Sequence, residues 1–157
     1  MFRKKRVWAR RGFSLIELVI TVLVLGIIAA AAGPRYADSL SRFRLAAAAK
    51  RVSDDLNYAR DEAMSQGFEQ KVIFVTASNS YSMANVPHPD SPGLAYSVDL
   101  SSTQYPVSLV AVNFNGAETV TFDIHGRPDT GGTVTVDSDG YQQVIDVDSA
   151  TGVATVQ

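Results

Sequence analysis

The chain has 157 residues, 46% of them hydrophobic, and no cysteine, which allows one modest core and excludes disulfide frameworks, thiolate zinc clusters and a thiol nucleophile. Its formal charge of −2 hides a division: six of the 14 basic residues stand at Arg3, Lys4, Lys5, Arg6, Arg10 and Arg11, whereas from Phe68 to Gln157 only Lys71 and Arg127 oppose ten acids, a net of −8. Nonspecific nucleic-acid affinity rests on Lys and Arg neutralising phosphates, so no nucleic-acid partner is expected for so acidic a region.

The first 33 residues form a basic lead (MFRKKRVWARRG), an apolar run (FSLIELVITVLVLGIIAAAA) and then Gly33-Pro34. Ala29 to Ala32 imitate the small residues at a secretory cut, but the apolar region of a secretory signal is shorter than this one. As a helix rising about 1.5 Å per residue, Phe13 to Ala32 would cover about 30 Å, the thickness of a bilayer's hydrocarbon core. The positive-inside rule then leaves the basic end in the cytoplasm and the remainder on the far side of the membrane.

Glu17 is anomalous for a plain anchor, because an isolated carboxylate in a membrane costs about 2.5–3.5 kcal/mol on insertion scales. A Lys or Arg of a neighbouring helix would offset this, as would a free α-amino group created by cleavage between Gly12 and Phe13. Snorkelling of Glu17 to the interface is the third reading.

Arg-Arg-Gly-Phe-Ser-Leu-Ile-Glu-Leu (Arg10 to Leu18), followed by an apolar helix with Gly26 and then Pro34, resembles the class III signal of type IV pilins and type II secretion pseudopilins. The resemblance implies a leader of residues 1–12 that prepilin peptidase removes by cutting between Gly12 and Phe13. It further implies N-methylation of the new terminal Phe13 and a role for Glu17 in assembly, against the N-terminus of an adjacent subunit. Residues 13–33 would be the transmembrane and filament-core helix.

Pro34 is expected to kink or interrupt the helix, which resumes over residues 34–67. Leu45, Ala48, Val52, Leu56, Ala59 and Ala63 step by three or four and draw one stripe to be packed on a sheet, while Arg42, Lys50, Asp54, Asp61 and Glu62 fall largely elsewhere. Gly67 is the expected stop. From Lys71 onward short Val-, Ile-, Thr-, Tyr- and Phe-rich runs predict strands at 71–75, 81–86, 95–100, 107–114, 119–123, 133–137, 142–148 and 153–156. Turn chemistry stands at Asn79-Ser80, Asn115-Gly116, Gly131-Gly132, Asp139-Gly140 and Thr151-Gly152, and Pro87 to Gly93 (PHPDSPG) reads as a loop. The fold class is α+β, with a long hydrophobic then amphipathic helix packed on an antiparallel sheet domain of residues 68–157, read as a meander.

Asp54-Asp55-Leu56, Ala59-Arg60, Glu62-Ala63 and Gly67, with TVTFDIHGRPDTGGTVTV (119–136) and VIDVDSATGVATV (144–156), resemble the H-type minor pseudopilins and related minor pilins. That resemblance implies a pilin-like fold and a periplasmic filament subunit held in the inner membrane. Its partners would be prepilin peptidase, other pilins or pseudopilins, an inner-membrane assembly platform and, before assembly, membrane lipid. A type II secretion pseudopilus that helps export proteins is the first machine implied. A type IV pilus, serving adhesion, motility or DNA uptake, is the alternative.

Two other classes compete. A DNA receptor of the related minor-pilin kind would need basic residues near the C-terminus, and none follows Arg127. An anchored enzyme would need convergent groups. His88 and His125 stand far apart and fit no metal-ligand spacing, and His125-Gly126-Arg127-Pro128 reads as a turn. Asp137, Asp139, Asp146 and Asp148 offer carboxylates for Ca²⁺, but DSDG lacks the remainder of an EF-hand loop, and alternating acids on strands mark a solvated face. No catalytic residue, metal or cofactor is expected.

Overall fold

The computed structural model describes residues 12–88, 91–102 and 105–157. The basic lead of residues 1–11 lies outside them. One helix, α1, runs from Leu15 to Gln66, and eight strands follow: β1 (Gln70–Val75), β2 (Ser80–His88), β3 (Ser91–Asp99), β4 (Ser108–Asn113), β5 (Thr119–Phe122), β6 (Gly132–Ser138), β7 (Tyr141–Val147) and β8 (Ala154–Val156). The chain divides into two compact units, one ending at Asp38 and the other spanning Ser39–Gln157.

Helix α1 is not interrupted at Pro34. Proline removes one N–H, but its φ of about −65° is helical, and neither Tyr36 to Gln66 nor the apolar run before Gly33 holds another helix breaker except Gly26. The C-terminus follows the expected pattern: Gly67 adopts φ 71° and its N–H bonds the Ala63 carbonyl at 3.1 Å, the left-handed stop that glycine makes cheapest.

In the second unit every residue of the expected stripe is buried, from Leu45 at 3% exposure to Ala48, Val52, Ala59 and Ala63 at zero. Full burial of each larger member contributes about 1.5–3 kcal/mol. The stripe joins Val72, Phe74, Tyr81, Met83, Val120 and Phe122 from the first strands, and Val134, Val136, Ile145 and Val147 from the later ones, in a single core. Phe74 stacks on Phe114 and packs at a tilt against Tyr81, with ring centroids 6.1 and 5.5 Å apart.

All eight expected strands are present and antiparallel, but they are not one meander. They form two four-stranded sheets, ordered β3-β2-β1-β5 and β4-β6-β7-β8. The chain opens the second sheet with β4, returns to the first with β5 beside β1, and then completes the second. Alternating hydrophobicity tells each strand which face to bury, not which strand lies beside it.

The expected loop at 87–93 is instead largely strand. Pro87 pairs with Ala95 and His88 with Ser91, after register shifts beyond Met83. Pairing of β2 with β1 ends at Met83, so the N–H that Pro87 lacks interrupts no ladder on that side, and Pro92 lies on the edge strand β3, where proline is tolerated. Asn85, with φ 63°, sits within the irregular stretch. Gly131-Gly132 is likewise no turn: a Cβ at Gly132 would come within 2.2 Å of the Asn113 carbonyl, so close strand approach explains this glycine.

Candidate functional site

The N-terminal signal falls on a bare helix end. Gly12 and Phe13 precede α1, and Phe13 is 77% exposed. A Cβ at Gly12 would meet no atom within 4 Å, so nothing in the described fold itself demands glycine there. The Ser14 carbonyl accepts a helical hydrogen bond from Leu18 N at 3.1 Å, and the helix starts at Leu15, two residues after Phe13. Glu17 stands in the first turn, where the helix dipole favours a negative charge.

Between Leu15 and Ile28 every large apolar side chain is exposed, from 46% at Val24 to 79% at Leu15. The helix is apolar all round there, unlike a surface helix of a globular domain, which carries one stripe. It is long and apolar enough to cross a membrane by length and composition. Apolar surface of this extent calls for lipid or other protein to cover it. Apart from Glu17, no residue from Phe13 to Pro34 is ionisable, so a charge partner for this carboxylate has to come from outside the run. Gly12, Phe13 and Glu17 thus stand together at the start of one exposed apolar helix.

The second unit holds a polar cluster that sequence reasoning missed. Asp55 is only 6% exposed. Its Oδ2 accepts hydrogen bonds from the Tyr81 hydroxyl at 2.6 Å, the Tyr96 hydroxyl at 2.7 Å and Arg51 Nε at 3.0 Å, and Arg51 also donates to the Tyr96 hydroxyl. The cluster fastens α1 to β2 and β3. Burial, and then the Asp55 charge, push the Tyr81 hydroxyl well above the usual tyrosine range, and burial and the hydrogen bond to Asp55 push Tyr96 upward too. Three donors, from α1, β2 and β3, hold this carboxylate in one position. The Asp54-Asp55 pair was the available signal, with Lys50 and Arg51 four residues earlier: Lys50–Asp54 is an exposed pair at 2.6 Å and Arg51–Asp55 its inward-facing counterpart.

A second attachment joins α1 to β8. The Asn57 side chain donates to the Ala154 carbonyl at 3.0 Å and accepts from Ala154 N at 3.0 Å, and Ser53 donates to the same carbonyl at 2.9 Å. Nearer the start of the unit, Ser41 donates to Asp139 and Arg42 lies 4.2 Å from the centroid of the Tyr141 ring.

The acids considered for Ca²⁺ are spread among separate tasks. Asp139 receives Ser41, Asp137 receives Gly140 N at 3.3 Å, and Asp148 receives Ala150 N, Thr151 N and the Thr151 hydroxyl of its own turn. Among the described residues no three His, Asp or Glu side chains gather as a metal site requires. His125 is exposed on a turn, and its backbone N–H donates to Asp123 Oδ1 at 2.8 Å.

A long helix with a bare apolar first half, and two antiparallel sheets packed on its second half, define a pilin-like protein. The chain belongs to the family described as Type II transport protein GspH, whose model matches residues 48–151, and residues 9–33 match the prokaryotic N-terminal methylation motif. It is 31% identical over 112 residues to a type IV major alpha-pilin of Moraxella bovis, covering 71% of this chain and 67% of the relative. It is also 43% identical over 61 residues to a fimbrial protein of Pseudomonas aeruginosa, an alignment spanning 39% of each. Among solved structures, the type IV minor pilin FimU of Pseudomonas aeruginosa superposes with a TM-score of 0.53 at 20% identity, over 72% of this chain and 92% of that one. The minor pseudopilin EpsH of the Vibrio cholerae type 2 secretion system does so with a TM-score of 0.54 at 12% identity, over 73% and 96%. At these identities the two structures speak for the fold.

Proposed function

We propose that the chain is a minor pseudopilin of a type II secretion pseudopilus, made as a precursor and cut between Gly12 and Phe13 by prepilin peptidase, which also N-methylates Phe13. The subunit then waits in the inner membrane, with its N-terminus cytoplasmic and the unit from Ser39 onward in the periplasm. An assembly platform transfers it into a filament beside other pilins or pseudopilins, and the filament helps export proteins. The observation that carries the reading is the coincidence at one helix end of Gly12-Phe13, a first-turn Glu17 and an exposed apolar surface, in a member of the GspH family.

The helix serves twice. Before assembly lipid covers its apolar surface; afterwards the helices of neighbouring subunits do. Glu17, costly in lipid, gains a partner only when the free α-amino group of a neighbour's Phe13 arrives, so the charge favours the assembled state over the waiting one. Removing residues 1–12 makes this possible by creating that amine and discarding six cationic side chains. The role requires no catalytic residue or cofactor.

A minor pilin of a type IV pilus is the second reading, supported by the 31% identity to the Moraxella bovis pilin. Deletion of the gene separates the two: loss of exported protein with surface pili intact supports the pseudopilus, and loss of pili with export intact supports the pilus. For the shared step, Gly12→Leu is expected to insert in the membrane and remain at precursor size on a denaturing gel. Mature-sized protein from this variant would contradict cleavage at Gly12.

A further inference from the structure

Three stretches that resemble the same family, around Ala59-Arg60, within 119–136 and within 144–156, converge at one point. The Arg60 side chain lies between two turns. Its Nε donates to the Thr151 carbonyl at 2.9 Å and its Nη1 to Asp61 at 3.0 Å. Its aliphatic stem packs where neither turn has room for a side chain. A Cβ at Gly126 would come within 2.9 Å of Met64 Sδ and 3.1 Å of Arg60 Cγ, and one at Gly152 within 3.3 Å of Arg60 Cδ and 2.2 Å of the Gly126 carbonyl. Both glycines also adopt positive φ, 75° and 70°, which glycine tolerates best. Each turn is otherwise closed locally: Asp123 accepts from the N–H groups of His125 and Arg127, both at 2.8 Å, and Asp148 accepts from Ala150 and Thr151.

We infer that Arg60 is a clasp that makes the 123–128 turn, the 148–153 turn and the last turns of α1 open and close as one unit. The two turns come from different places in the topology. The first leaves β5 of one sheet, and the second joins β7 to β8 of the other. Gly152 approaches the Gly126 carbonyl directly and Met64 of α1 packs on Gly126, but Arg60 is the helix residue that touches both turns, its stem lying against Gly126 and Gly152 and its guanidinium bonded to the Thr151 carbonyl. Loosening either contact therefore loosens both turns, while the strands, held by their own ladders and core, keep their protection.

Native-state hydrogen exchange on the full chain in detergent micelles tests this. The reporters are the Gly126 amide, bonded to the Asp123 carbonyl at 2.9 Å, and the Gly152 amide, bonded to the Asp148 carbonyl at 2.8 Å. Arg60→Ala is expected to speed exchange in both turns by about tenfold, the loss of roughly one hydrogen bond with its packing, and to leave β6 and β7 unchanged. Arg60→Met, which keeps the stem and loses the donor, is expected to speed both turns by a smaller factor, with the larger effect at Gly152. Unchanged rates in both turns, acceleration of one turn alone in Arg60→Ala, or loss of β6–β7 protection in Arg60→Met would each overturn the clasp.

Discussion

Glu17 is the only ionisable side chain from Phe13 to Pro34, and its desolvation cost in lipid is about 2.5–3.5 kcal/mol. Glu17→Val removes that cost, so the variant is expected to be processed normally and to accumulate in the membrane, yet to enter filaments several-fold less, measured by cross-linking to other pilins in sheared fractions. Wild-type incorporation would reduce Glu17 to a tolerated charge. The N-terminal methylation motif of residues 9–33 was legible in the sequence because its signal is local. Asp55 was legible only as half of a quoted pair, since its burial depends on Tyr81 and Tyr96, 26 and 41 residues away. Those tyrosines set a pH response. Tyr81 has a raised pKa in the folded state, so its contribution is complete below about pH 10 and is lost as pH rises further, where the unfolded chain has released a proton that the folded one keeps. Stability should therefore fall above pH 10 by up to about 1.4 kcal/mol per pH unit from this group. Tyr81→Phe is expected to be less stable at neutral pH and to show a shallower alkaline decline in thermal melts.

At the scale of elements, periodicity located α1's buried stripe and all eight strands, because each is a repeated local pattern. It failed where the outcome depends on a neighbour. Residues 87–88 and 91–93 became strand where β1 no longer pairs β2 beyond Met83, and nothing within PHPDSPG reports where that pairing ends. The exchange of β4 and β5 between sheets is equally nonlocal. So is the edge of β8, a strand of three residues held against the helix by Asn57, whose amide pairs with Ala154 as a neighbouring strand would. Asn57→Leu leaves the Ala154 N–H without its partner in a partly buried place, and is expected to cost about 1–3 kcal/mol. Hydrogen exchange should localise the effect to β8, with β6 unaffected; uniform acceleration would show that Asn57 serves the whole core instead.

For the whole molecule, composition carried the division that matters. The sequence pairs an apolar segment at residues 13–32 with a region of net charge −8 over residues 68–157, the one calling for an apolar covering and the other for water. Family membership and fold support a pilin-like subunit; processing and assembly follow in our account from the helix start. The proposed cleavage between Gly12 and Phe13 is the step on which the rest of the proposal depends, since it would free the amine that Glu17 would meet. Intact-mass and N-terminal peptide mass spectrometry of the protein isolated from membranes of its own host tests it directly. The expected chain begins at N-methylated Phe13 and lacks residues 1–12. A chain that retains Met1, or one cut after the alanines at 29–32, would contradict it.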